Sequence, residues 1–124
     1  MEPIARLAAV TLDCSDPVPL ADFYRSLLGL ETMFEADGFI ALKGAAIFLT
    51  MHQVDNHRVP QWPDGSIPKQ LHLELAVTDL EAAEARALEL GATKATTQPN
   101  PEAWRVLIDP AGHPFCVTTL IPDA

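Results

Sequence analysis

Basic side chains are scarce in this chain. Only 8 Lys and Arg face 17 Asp and Glu among 124 residues, a formal charge of −9. Such a balance repels phosphate backbones, so nucleic acid is not an expected partner, whereas a neutral or cationic small molecule is acceptable. Long apolar runs are missing as well: none approaches the roughly 20 residues that a membrane span requires. The opening residues MEPIARL hold neither an apolar signal segment nor a basic amphipathic leader. A cytoplasmic protein without a membrane partner is expected. Cysteine is limited to Cys14 and Cys116, neither in a metal-type Cys spacing. What remains, 48% hydrophobic and 20% charged, is ordinary for one compact domain or for two small halves that share a core.

The most informative stretch is Gln70 to Asp79, QLHLELAVTD. Strict alternation puts Leu71, Leu73, Leu75 and Val77 on one face of a strand and His72, Glu74 and Ala76 on the other. The leucines need a covering layer, while an imidazole and a carboxylate side by side need water, a ligand or a metal. Around this strand the chain reads as a repeat. Residues 6–14 form a strand, Asp16 caps a helix with Pro17 in its first turn, and Leu20, Phe23, Tyr24, Leu27 and Leu28 recur at helical spacing up to Gly29. Strands follow over 30–36, 39–43 and 46–52, separated by the turn formers Asp37-Gly38 and Lys43-Gly44. In the second half, Asp79 caps a helix carrying Leu80, Ala83, Ala87 and Leu88 and stopped by Gly91, with strands over 93–98, 103–108 and 114–120. Capping Asp to terminal Gly is 13 residues in the first unit and 12 in the second.

The expected fold is therefore α+β, a single domain over 1–124 made of two βαβββ modules with pseudo-twofold symmetry. Module one spans about 5–52, a Pro-rich linker 53–69, and module two 70–121. Helices lie outside, and curved mixed sheets face each other to form a cup. By parity the cup side carries Thr11, Asp13, Thr50, His52, His72, Glu74, Cys116 and Thr118. Cys14 faces its helix instead, so no disulfide is expected. Trp62, in the linker, either pins that segment to the core or covers the cup. Phe48, Trp104 and Phe39 offer stacking surface or simply fill a core. Arg105 faces a ligand only if Trp104 does not.

The paired units, the stretches SDPVPLADFYRSLLGLE and LHLELAVTDLEAA, and the turn DPAGHPF together resemble the vicinal oxygen chelate superfamily, also called the glyoxalase/bleomycin-resistance/dioxygenase superfamily. The likeness runs over nearly the whole chain and is closest to its small glyoxalase-like members. The superfamily includes isomerases, dioxygenases, epimerases, fosfomycin-modifying transferases and non-catalytic antibiotic binders, so the resemblance implies the fold more than the chemistry. Its metal-dependent members place His or Gln, Glu, His and Glu on the first and last strands of each unit. Counted through the repeat, those positions here are Ala9, Phe48, His72 and Cys116. Of these, His72 is a usual ligand and Cys116 an unusual one, whereas a catalytic cation needs about three protein ligands.

Two functions follow from these residues. The first is a metal-free small-molecule binding protein, with no cofactor, holding its ligand through Phe48, Thr50, His52, Trp62, His72, Glu74, Trp104 and Cys116. The second is a lyase, isomerase or dioxygenase. It uses His72 and Glu74 catalytically, either metal-free or with a divalent metal on His52, His72 and Glu74, the histidine and carboxylate set that suits non-haem iron. A homodimer is expected because each unit leaves a sheet edge exposed.

Overall fold

The computed structural model describes residues 2–122. Two compact units divide between His57 and Arg58, inside the Pro-rich segment. In module one, β1 (Ala9–Cys14) leads into α1 (Pro17–Leu28), followed by β2 (Glu31–Ala36), β3 (Phe39–Lys43) and β4 (Phe48–Gln53). The sheet order is β1-β4-β3-β2, with β1 parallel to β4 and the other pairs antiparallel. A parallel pair requires a crossover, and α1 supplies it. The Asp16 side chain accepts from the Val18 N–H at the start of this helix, and Gly29 closes it in the left-handed region at φ 66. Leu20, Phe23 and Tyr24 turn inward onto β3 and β4, where Leu42 and Met51 are fully buried. Parity holds along β1: Leu12 and Cys14 are buried while Thr11 and Asp13 are exposed.

Module two repeats the plan with β5 (Leu73–Ala76), α2 (Leu80–Glu89), β6 (Thr93–Lys94), β7 (Trp104–Ile108) and β8 (Pro114–Thr118), in the order β5-β8-β7-β6. β5 is parallel to β8, and β7 is antiparallel to both β8 and β6. Asp79 accepts from the Ala82 N–H at the start of α2. The helix packs on β6, β7 and β8, placing Phe115, Leu107 and Val117 in a buried layer. These are the α+β architecture and the two βαβββ modules expected.

Several strands are shorter than their sequence pattern suggests, and local hydrogen bonds explain two of them. The segment expected as a strand over 93–98 is only Thr93–Lys94. Beyond Ala95 the Gln98 side chain takes over the ladder, donating to the Ala95 and Val106 carbonyls and accepting from the Val106 N–H. β8 ends at Thr118, whose hydroxyl accepts from the Leu120 N–H. Arg105 settles on the helix side: it donates to Glu81 at 2.8 Å and lies 3.5 Å from Glu84, so its neighbour Trp104 takes the opposite face.

Register refines the internal repeat. In module one Ala9 pairs with Phe48, Thr11 with Thr50 and Asp13 with His52. In module two Glu74 pairs with Cys116 and Ala76 with Thr118. If His72 corresponds to Ala9, seven residues before each capping Asp, then Glu74 corresponds to Thr11 and Cys116 to Thr50. Counting from the glycine of the β-turn instead equates Cys116 with Phe48. The glycines sit at different points of the two turns, Gly44 four residues before Phe48 and Gly112 two before Pro114, so that count slips by two.

Truncating the α2 cap, Asp79→Ala, should lower the free energy of unfolding by about 1 kcal/mol, whereas Phe115→Ala should cost about 3–5 kcal/mol. Urea denaturation followed by circular dichroism distinguishes the two.

Candidate functional site

The face of the second sheet opposite α2 carries a pocket of about 400 Å³, within the range of roughly 300–1,000 Å³ usual for small-molecule sites. Alternation builds its floor. On β8, Cys116 and Thr118 face the pocket while Phe115 and Val117 face the helix; on β7, Trp104 and Val106 face it while Arg105 and Leu107 do not. Val106 lies beside Cys116, and Trp104 beside Thr118. From β5 come Glu74 and, just before the strand, His72. Lys69, Leu120 and Ile121 close the rim.

Trp62 reaches this pocket on a strap before β5. The strap is stitched to itself: the Gln61 N–H donates to the Ile67 carbonyl at 2.6 Å, and the Ile67 N–H donates to the Gln61 side-chain oxygen at 3.3 Å. It is also docked on the turn between β7 and β8. Val59 lies so close to Gly112 that a Cβ there would meet its Cγ1 at 2.4 Å, and Gly112 has φ 92. The turn itself is organised by buried Asp109, whose Oδ1 accepts from the Ala111 and His113 N–H groups. The DPAGHP motif thus holds the pocket's frame, and its histidine is fixed through its backbone.

The polar centre is a cluster of three. His72 Nε2 lies 2.7 Å from Glu74 Oε1, and one donor atom from each of His72, Glu74 and Cys116 lies within 4.8 Å of the others. The side chains of His72 and Glu74 are 34% and 42% exposed, while Cys116 is buried. Burial pushes the Cys116 thiol up to about 11, reinforced by the charge of Glu74 and a hydrogen bond to it and opposed by Lys69. At neutral pH this sulfur is a thiol and a poor nucleophile.

Trp62, His72, Glu74, Trp104 and Cys116, all expected as site residues, line this one pocket. Phe48, Thr50 and His52 stand on β4 of module one. There Thr50 is buried and bonded to Thr11 at 2.6 Å, and the His52 ring lies 6.2 Å from Phe39. Val106 and Pro114 share the parity of the residues identified and were open to the same reasoning. Leu120 shares that parity too within the strand expected over 114–120, although the observed strand ends at Thr118, whereas Lys69 and Ile121 lie outside any strand, where alternation gives no signal. Neither Cys14 nor Cys116 is in a disulfide.

A family model described as a glyoxalase-like domain matches residues 9–118. Among solved structures, the fosfomycin resistance protein FosX of Mesorhizobium loti superposes with a TM-score of 0.73 at 14% identity, covering 96% of this chain and 94% of that one. A glyoxalase/bleomycin resistance protein/dioxygenase family enzyme of Burkholderia phytofirmans gives 0.72 at 17% identity, covering 94% and 100%. The E126Q mutant of FosX from Listeria monocytogenes, solved in complex with Mn(II) and 1S,2S-dihydroxypropylphosphonic acid, gives 0.73 at 14% identity, covering 94% and 91%. At these identities the likeness is one of fold. No curated protein matches the sequence.

In metal-stripped protein lacking the other thiol (Cys14→Ala), Cys116 should alkylate slowly at pH 8 and faster as pH rises toward 11, and Glu74→Gln should speed the reaction at pH 8. The folded value lies above the ordinary 9.0, so the stability contributed is complete below about pH 9 and is lost as pH rises through 11. Iodoacetamide labelling read by mass spectrometry checks the reactivity. Denaturant melts at pH 8 and pH 10.5, with and without Cys116→Ala, check the sign.

Proposed function

The chain belongs to the glyoxalase-like domain family of the vicinal oxygen chelate superfamily, and we propose that within it this protein is a small-molecule binder that holds its ligand without a resident metal. The observation that carries this reading is the pocket of module two, which combines two indoles with an imidazole and carboxylate pair in one concavity. Trp62 and Trp104 supply stacking area for a ring-containing ligand, and Val106, Leu120 and Ile121 supply apolar walls. Glu74 and His72 orient the ligand's polar groups, and Lys69 donates to a negative or carbonyl oxygen. Ala9 and Phe48, which pair with each other on module one, offer no donor for a chelate.

A second reading, an enzyme of the same superfamily, is favoured by the proximity of His72, Glu74 and Cys116. There the ring nitrogen of His72 that Glu74 does not hold moves a proton, or a divalent cation on those side chains polarises a substrate oxygen. One carboxylate and one imidazole beside a protonated thiol fit poorly with a hard cation such as Mn(II), which prefers oxygen ligands.

We further propose that the protein works as a homodimer. This rests on β2, an edge strand with all six residues exposed and with Phe34 55% and Met33 54% accessible. Sedimentation equilibrium should return twice the chain mass, and a strictly monomeric protein at high micromolar concentration would rule this out.

Tryptophan fluorescence titrated with a panel of planar aromatic and cationic natural products should reveal quenching by at least one compound. Trp104→Ala should weaken that compound about tenfold, the equivalent of roughly 1.4 kcal/mol. Absence of quenching across the panel counts against the binding reading. Chelation separates the two: quenching that is abolished when metal is stripped and restored when it is added back defeats the metal-free binder, whereas quenching unchanged by chelator supports it.

A further inference from the structure

We infer that His72, Glu74 and Cys116 form a site for an added thiophilic divalent cation, of the Zn²⁺ and Cd²⁺ class, that opens onto the ligand pocket. This goes beyond the binding reading, which needs no ion. The fold does not force such a cluster to exist. At the equivalent register of module one, Thr11 and Thr50 bond to each other at 2.6 Å, and Ala9 precedes them. Module two has placed a carboxylate, a thiol and an imidazole on the same lattice points.

The distances suit a small tetrahedral ion. Bonds of about 2.0–2.1 Å to nitrogen, 2.0–2.2 Å to oxygen and 2.3 Å to sulfur put neighbouring donors roughly 3.4–3.6 Å apart. His72 Nε2 and Glu74 Oε1 lie at 2.7 Å, and no separation within the cluster exceeds 4.8 Å. The close pair has to open by roughly 0.8 Å and the widest has to close by no more than roughly 1.4 Å. The residues that must move are the two with partly exposed side chains, while Cys116 is held in the middle of β8 between β5 and β7.

Three protein donors leave a fourth position, and it faces the pocket, where water or a ligand oxygen completes the tetrahedron. The donor types set the preference. A thiolate and an imidazole select Zn²⁺, Cd²⁺ or Co²⁺, whereas Mg²⁺ and Mn²⁺ look for oxygen and higher coordination. On binding, the Cys116 S–H bond gives way to a sulfur to metal bond and the proton leaves to buffer. Glu74 and the thiolate together balance the 2+ charge, and the Lys69 ammonium on the rim works against the cation.

Cobalt tests this directly. Titrating the full chain, stripped with chelator, with Co²⁺ should produce a thiolate-to-cobalt charge-transfer band saturating at one ion per chain. Zn²⁺ should bleach it, and a large excess of Mg²⁺ or Mn²⁺ should leave it in place. The band should be lost in Cys116→Ser and kept in Cys14→Ala. His72→Ala should weaken Zn²⁺ at least tenfold by calorimetry, and because its side chain is partly exposed it keeps the site testable if the Cys116 variant fails to fold. No band in the parent chain, or a band that survives Cys116→Ser, overturns the inference. Quenching of Trp62 and Trp104 by organic ligands in chelator is independent of all these outcomes, so failure here and failure of the binding reading are told apart.

Discussion

Strand β8 is paired on both sides, in parallel with β5 and antiparallel with β7, and the pocket depends on that double register. A strand locked between two neighbours cannot slip by one residue without sending Phe115 and Val117 into solvent and Cys116 under the helix. The buried layer against α2, where Phe115 and Leu107 are fully inaccessible, therefore determines which side chains meet on the open face. Apolar burial does the positioning and the polar residues inherit their places from it. Arg105 shows the same logic from behind. Its guanidinium holds the Glu81 carboxyl below its usual range, ties β7 to α2, and so leaves Trp104 on the pocket side.

How much of this was readable from the letters depends on what kind of signal each part leaves. Leu71 to Val77 alternates so regularly that the polar face of His72 and Glu74 follows from period alone, and helix caps at Asp16, Gly29 and Asp79 are local chemistry that tertiary structure respected. The two modules and their element order were readable for the same reason. Strand ends were not, because a side chain such as Gln98 can replace a backbone ladder without any periodic mark. The correspondence between modules suffered because the two turn glycines stand at different distances from the strand that follows. Cys116 matches Phe48 when counted from a glycine but Thr50 when followed through the parallel pairing.

The comparison of the two sheets is informative about chemistry as well. On module one the open face holds two threonines that satisfy each other. On module two it holds a proton donor or acceptor, a charge and a thiol within reach of one another. A common backbone plan thus carries different side-chain chemistry at matching positions, Thr11 and Thr50 on one sheet and Glu74 and Cys116 on the other.

The contact between Val59 and Gly112 ties two distant parts of the sequence into one mechanical unit. Residue 112 never touches the pocket, yet any side chain there would lever away the strap that bears Trp62. Changes to the pocket wall have most freedom along the strap's own sequence. The hairpin beneath it is a fixed support, and altering it would displace Trp62 from the pocket wall.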